Sequence, residues 1–365
     1  MNRSPKWHYG PFPRVYVGPL DIKEIKNIVE YKKVLIVTSK SFLDSETLNK
    51  ILTTVTFLKS QVVLVSPNPT WIDINRHKSN LGDFIPDVIL ALGGGSALDT
   101  AKILSIAINT ESELADVGTG SKIAFEARTI TLILIPTTAG TGAEITPFAT
   151  IWTDDGSGKT SIETIEMIPD FIFLDATLLS TLSPEQLLYP GLDAVSHAIE
   201  TLWNKYQTPV SSQWAKQSLE LSVKCLPSIL DGNRSTETLT DMLLASNMAG
   251  IAISDSHTAI AHSISYPITS KYGVPHGLAC SFTIPSICHQ LLIEECVLIP
   301  ESDLVKQAGV MLRNLRLPQL VENYMSLEQC LDLIPLMNTK SRAGNYVGRV
   351  DESSLKYLFQ ASFNI

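Results

Sequence analysis

The chain has 365 residues, 44% hydrophobic and 18% charged, enough to bury a large core and long enough for two domains rather than one. Its formal net charge of −9, with no Lys/Arg cluster that could track a phosphate backbone, argues against a nucleic-acid partner. No run approaches the roughly 18 apolar residues of a membrane span, Met1-Asn2-Arg3-Ser4-Pro5 lacks a signal-peptide core, and the five cysteines form no C-x-x-C pair, so a cytoplasmic protein with reduced thiols and no zinc ribbon is expected.

In chain order, the first half reads as short Val/Ile/Leu strands alternating with helical or loop stretches: Val34–Val37, Val62–Val65, Val88–Leu92, Leu132–Ile135 and Phe171–Leu174. That alternation predicts an α/β layer with a mainly parallel sheet. The third strand breaks into Gly93-Gly94-Gly95-Ser96 before a helical stretch from Ala97 to Lys102. Strand, glycine turn and helix start make a phosphate cradle, because glycine lets backbone N–H groups approach an anion and the helix dipole favours it. The spacing is not G-x-G-x-x-G, and a tight structural turn is the competing reading. The fourth strand empties into Pro136-Thr137-Thr138-Ala139-Gly140-Thr141-Gly142-Ala143-Glu144, richer in small residues and hydroxyls than a connection requires.

Near residue 180 the pattern changes. Ser183-Pro184-Glu185-Gln186 carries an N-cap serine, a first-turn proline and a capping-box glutamine. Helical spacing then dominates, over 212–226, 238–252, 304–312, 326–336 and 353–361, with the capping signature repeated at Ser326-Leu327-Glu328-Gln329. The expectation is an α/β domain over 1–180 followed by an all-α domain over 181–365, closely packed with a cleft between them.

Within the helical half, Asp193 and His197 stand at i,i+4 and so share one helix face, while His262 and His276 come from later segments. Singly, an aspartate near a helix start complements the dipole and a histidine is an ordinary buried polar residue. Together, one carboxylate and three imidazoles suit Fe(II) or Zn(II) with one position open.

GGGSALDTAK, PTTAGTGAE, PGLDAVSHAIE and AHSISYPITSKYGVPHG, in that order, together with Pro67-Asn68-Pro69-Thr70, resemble the iron-containing alcohol dehydrogenase family from about Val34 to the last helix. The resemblance implies a dehydroquinate synthase-like two-domain plan and a nicotinamide-dependent oxidoreductase with Asp193, His197, His262 and His276 as metal ligands. It also implies a cofactor site at Ser39, Asn68, Gly93, Gly94, Gly95, Ser96, Asp99, Thr137, Thr138 and Thr141, and a homodimer. Lys159 matches a family lysine near the cofactor ribose; a solvated turn lysine is the alternative.

Two departures from the family pattern matter. Tyr266 replaces a histidine common four residues after the second-segment ligand, so Tyr266 is read as a proton donor or as packing. No carboxylate follows Leu35-Ile36-Val37-Thr38, which runs into Ser39-Lys40, so NADP as well as NAD is accommodated. The stretch from His257 to Cys280 is similar to a phosphonate-metabolism branch of phosphonoacetaldehyde reductases, which implies an arginine matched to phosphonate oxygens. Arg342 is the candidate. The expected chemistry is hydride transfer to a metal-polarised carbonyl, with a small aldehyde or alcohol as partner. A general short-chain alcohol, diol or aldehyde dehydrogenase is the alternative within the family, and a dehydroquinate synthase-like lyase the alternative outside it.

Overall fold

The computed structural model describes residues 13–108, 127–154, 159–295, 297–337 and 342–364. Strands β1 (Arg14–Val17), β2 (Lys33–Ser39), β3 (Lys59–Val65), β4 (Val88–Gly93), β5 (Thr131–Pro136) and β8 (Phe171–Leu174) form one parallel sheet in the order β1-β8-β5-β4-β2-β3. β6 (Phe148–Trp152) and β7 (Lys159–Glu163) form a separate antiparallel ribbon. All five expected strands are present. The sequence reading lacks β1 and the ribbon, whose strands are short and less apolar.

Alternation along the central strands separates two apolar layers. Val34, Ile36, Leu90 and Ile133 face one core, and Leu35, Val37, Ile89 and Leu132 face the other. The second layer is closed by α4 (Trp71–Leu81) and α5 (Gly95–Ala107). On the other side, α1 (Ile22–Val29), α3 (Glu46–Thr54) and the later helices share one continuous core with the sheet, which explains the close packing of the two halves. Helix α2 (Lys40–Leu43) is a single turn at the end of β2.

Among the described residues every regular element after β8 is helical. The long ones are α6 (Pro184–Leu202), α7 (Pro209–Leu230), α8 (Thr236–Ser256) and α9 (Ile260–Tyr272), followed by the short α10 (His276–Ser281). Ser183 and Gln186 form the expected capping box on α6, as do Ser326 and Gln329 on theirs. The single helix expected over 326–336 is instead two, Leu327–Asp332 and Ile334–Met337. Pro335 supplies no N–H for a helical bond back to Leu331, so the helix is interrupted at Leu333 and restarts at Ile334. Among the described residues no helix is long and apolar enough to cross a membrane. Cys225, Cys280, Cys288 and Cys330 are free and buried; Cys296 lies outside the described residues.

Two features of this fold position the site. The register Gly93↔Pro136 sets the ends of β4 and β5 side by side, so the glycine turn and the threonine loop meet, with Thr137 N–H donating to Gly93 O at 3.0 Å. The sheet order reverses between β2 and β4, and in open α/β sheets that crevice at the strands' carboxyl ends is where ligands bind.

Candidate metal and cofactor site

Asp193 lies mid-way along α6, and His197 one turn later faces the same way. His262 sits in the first turn of α9, and His276 begins α10. From Asp193 Oδ1 the imidazole Nε2 atoms stand at 3.3 Å (His262), 3.7 Å (His197) and 3.9 Å (His276). His262 stacks on His197 at a centroid distance of 4.7 Å. The structure therefore brings together all four residues that the sequence singles out.

This convergence depends on Gly277. A Cβ there would lie 1.8 Å from Tyr189 O and 3.0 Å from Asp193 N, so only glycine lets α10 descend onto α6 far enough for His276 to reach Asp193. Gly140 does the same for the threonine loop, since its Cβ would meet Pro190 at 2.5 Å.

A cation fits this donor set. Asp193 Oδ1 and His262 Nε2 are buried with no hydrogen-bond partner, an arrangement that is costly unless something positive lies between them. Burial chiefly holds His276 far below the usual imidazole range and His197 down to about 4, leaving both with free lone pairs. Burial works against the charge on Asp193, but His197, His276 and His262 outweigh it and keep the carboxylate ionised. His262 goes the other way: burial opposes its proton, yet Cys280 and Glu200 beside it raise its pKa well above the ordinary value.

Two neighbours of the donors escape the sequence reading. The fully buried carboxylate of Glu200, on α6, pairs with His262 Nδ1 at 2.6 Å and accepts the backbone N–H groups of Ala259 (3.0 Å) and Ala261 (2.5 Å). Glu200 falls at i+7 from Asp193, on the same helix face, and that spacing was the signal. Cys280 lies four residues after His276, and its Sγ belongs with Asp193, His262 and His276 to a group of donor atoms all within 4.8 Å of one another, the only such group among the described residues.

A cavity of about 540 Å³ extends from these donors to the glycine turn. Its α/β wall includes Asn68, Gly95, Ser96, Asp99, Thr141 and Lys159; its helical wall includes Asp193, His262, Tyr266, His276 and Arg342. Asn68 N–H donates to Ser96 Oγ at 3.2 Å, joining two of the expected cofactor residues. Helix α5 starts at Gly95 with no side-chain cap, leaving its first N–H groups for an anion in the cavity.

Of the other expected cofactor residues, all but Asp99 stand behind this surface. Gly93 and Gly94 form the turn, with Thr138 Oγ1 3.3 Å from where a Gly94 Cβ would sit, and Thr137 is buried. Ser39 ends β2 at the switch crevice, bonded to Ser41 Oγ at 2.8 Å, and is not part of the cavity wall. Asp99 lines the cavity, but its carboxylate is engaged by Lys102 Nζ (3.1 Å) and Thr150 N–H (2.9 Å). Lys102 is itself wholly buried and donates to Ala143 O, Thr146 O and Phe148 O, tying α5 to the turn that carries Thr141.

Lys159 is no turn residue. It begins β7, with Nζ 3.4 Å from His276 Nε2 and 4.0 Å above the Tyr266 ring. Tyr266 stacks on His276 within 12° of parallel, and the Arg342 guanidinium lies 4.9 Å from the Tyr266 centroid while donating to Thr258 Oγ1. Two cations thus lean on one aromatic ring beside the donor set, a cation–π arrangement that fixes both.

Residues 13–176 match the family model described as iron-containing alcohol dehydrogenase, and residues 187–315 match that of the C-terminal region of the Fe-containing alcohol dehydrogenase family. The chain is 29% identical over 274 residues to the bifunctional aldehyde-alcohol dehydrogenase of Escherichia coli (strain K12), a match covering 70% of the chain and 30% of that protein. It is 32% identical over 203 residues to the phosphonoacetaldehyde reductase of Streptomyces viridochromogenes, covering 54% of the chain and 51% of the relative. Among solved structures, sulfoacetaldehyde reductase from Bifidobacterium kashiwanohense in complex with NAD+ superposes with a TM-score of 0.85 at 23% identity, over 98% of each chain. With both family models in sequence order across most of its length, the chain belongs to the iron-containing alcohol dehydrogenase family.

Proposed function

We propose that this chain reduces a short aldehyde carrying a compact anionic group, best matched by phosphonoacetaldehyde yielding 2-hydroxyethylphosphonate, using NADH or NADPH and a divalent metal, Fe(II) or Zn(II). The reading assigns the α/β half, residues 1–180, to the nicotinamide cofactor, and the helical half, 181–365, to metal and substrate. The observation that carries it is the pair of cations on Tyr266. Lys159 and Arg342 place two positive charges at the edge of the donor set, more than a neutral aldehyde needs and what a phosphonate dianion requires. The likeness to a phosphonoacetaldehyde reductase supports the same choice.

In this reading Asp193, His197, His262 and His276 hold the metal, Gly95, Ser96 and Thr141 receive the cofactor phosphates, and Asn68 fixes the turn beside them. The bound metal supplies a Lewis acid for the carbonyl oxygen, and the reduced nicotinamide supplies the hydride. Glu200 accepts from His262 Nδ1 and so turns Nε2 toward the metal, which would displace the proton held there. Arg342 orients the anionic tail, held in place by Thr258 and the Tyr266 ring. Lys159 Nζ, at the rim of the donor set 3.4 Å from His276 Nε2, and the Tyr266 phenol are the two proton donors of this reading.

The test is oxidation of NADH and NADPH by metal-loaded protein with phosphonoacetaldehyde, acetaldehyde and lactaldehyde in parallel. A strong preference for the phosphonate is the expected outcome. Equal or better turnover of the neutral aldehydes sinks the anionic-substrate reading and leaves a general aldehyde reductase of the same family.

A further inference from the structure

We propose that Cys280 is a sulfur ligand of the metal site, so that the donor set in this chain is mixed rather than purely carboxylate and imidazole; this rests on the reading that Asp193, His262 and His276 hold a divalent cation. Cys280 follows His276 by four residues on α10, which puts both side chains on one face. Its Sγ lies 3.6 Å from His276 Nδ1 and 3.8 Å from Nε2. Zinc binds sulfur at about 2.3 Å and imidazole nitrogen at about 2.0–2.1 Å, so two such ligands at a tetrahedral angle stand about 3.6 Å apart. The side chains need little movement to share one ion.

The surroundings of the thiol separate it from an ordinary buried cysteine. Cys225, Cys288 and Cys330 all pack within the apolar core, whereas Cys280, equally buried, belongs to neither apolar cluster and turns toward polar donors. Two of those donors, Asp193 Oδ1 and His262 Nε2, are buried 3.3 Å apart and make no hydrogen bond. His197 Nε2, although 3.7 Å from Asp193, falls outside the group of mutually close atoms that includes Cys280 Sγ.

Ligation replaces the S–H bond by a sulfur–metal bond and releases the proton to solvent, with no change of oxidation state. One carboxylate and one thiolate then neutralise a divalent ion in a buried pocket. A thiolate also favours zinc or cobalt over harder ions.

The experiment uses the full-length chain, stripped of metal and reloaded with Co(II), reading bound cobalt per chain together with sulfur-to-cobalt charge-transfer absorption in the near ultraviolet. The expected result is one Co(II) per chain with the band present, and loss of the band in Cys280→Ser while cobalt is still bound. Cobalt bound by the unaltered chain without the band overturns sulfur ligation and leaves the metal site standing. No cobalt binding overturns both. Should Cys280→Ser not fold, X-ray absorption at the zinc edge of the unaltered protein decides, a sulfur scatterer at about 2.3 Å supporting the proposal and its absence overturning it.

Discussion

Glu200 holds His262 through the ring nitrogen that faces away from Asp193. Its Oε2 is 2.6 Å from His262 Nδ1, and the same carboxylate receives N–H groups from the start of α9, which has no side-chain cap of its own. A carboxylate can only accept, so Nδ1 keeps its proton and Nε2 is the nitrogen turned toward the other donors, the one that would give up its own proton to a metal.

Replacing Glu200 by Gln tests this. Gln retains an acceptor for the backbone N–H groups, but its amide can donate to Nδ1 and push the proton to Nε2. We expect metal affinity to fall about 10–100-fold, measured by chelator competition, with circular dichroism unchanged. Unaltered affinity would mean that the ring is oriented by packing alone.

Arg342→Ala should act on substrate charge. Losing a charge-assisted contact worth about 1.5–3 kcal/mol raises KM for an anionic aldehyde roughly 10–100-fold, while KM for a neutral aldehyde stays nearly constant. Steady-state kinetics on both substrates check it, and a parallel loss on both would place Arg342 in the fold rather than in substrate binding.

Gly277→Ala should be among the most damaging single changes. The added methyl collides with Tyr189 O, and forcing α10 off α6 is expected to cost about 3 kcal/mol or more of stability and to separate His276 from Asp193. Urea denaturation and metal stoichiometry report the two effects separately.

Lys102→Met removes a fully buried ammonium and leaves Asp99 buried and unpaired. Breaking such a pair costs about 3–5 kcal/mol. Burial already raises the Asp99 pKa against the influence of Lys102, so in the variant the carboxyl gains its proton more readily. Asp99→Asn in the same chain should recover part of the lost stability in urea melts.

The middle of the sheet was legible because β2, β4 and β5 are continuous apolar runs, as parallel strands buried on both faces must be, whereas the short edge strand β1 was missed. β6 and β7 were not, since a ribbon with one polar face offers only five residues of weak alternation, and Lys159 at its start reads as a turn residue until the ribbon folds it over Tyr266. The i,i+4 rule that pairs Asp193 with His197 applies equally to His276 and Cys280. What hid Cys280 is that a lone cysteine in an apolar stretch looks like core. Glu200 was hidden similarly: its partner His262 is 62 positions away in the chain, and only the crossing of α9 over α6 brings them together.

Lys159 and Arg342 are attached to the molecule differently from the residues that meet at Asp193. One rides on a two-stranded ribbon and the other on a turn near the end of the chain, both peripheral to the helices that carry Asp193, His262 and His276. In the reading proposed above, the turn that carries Arg342, with Thr258 bonded to it, can therefore be redrawn for other substrates while the packed helices that hold Asp193, His262 and His276 stay as they are, and libraries aimed at new substrates belong there.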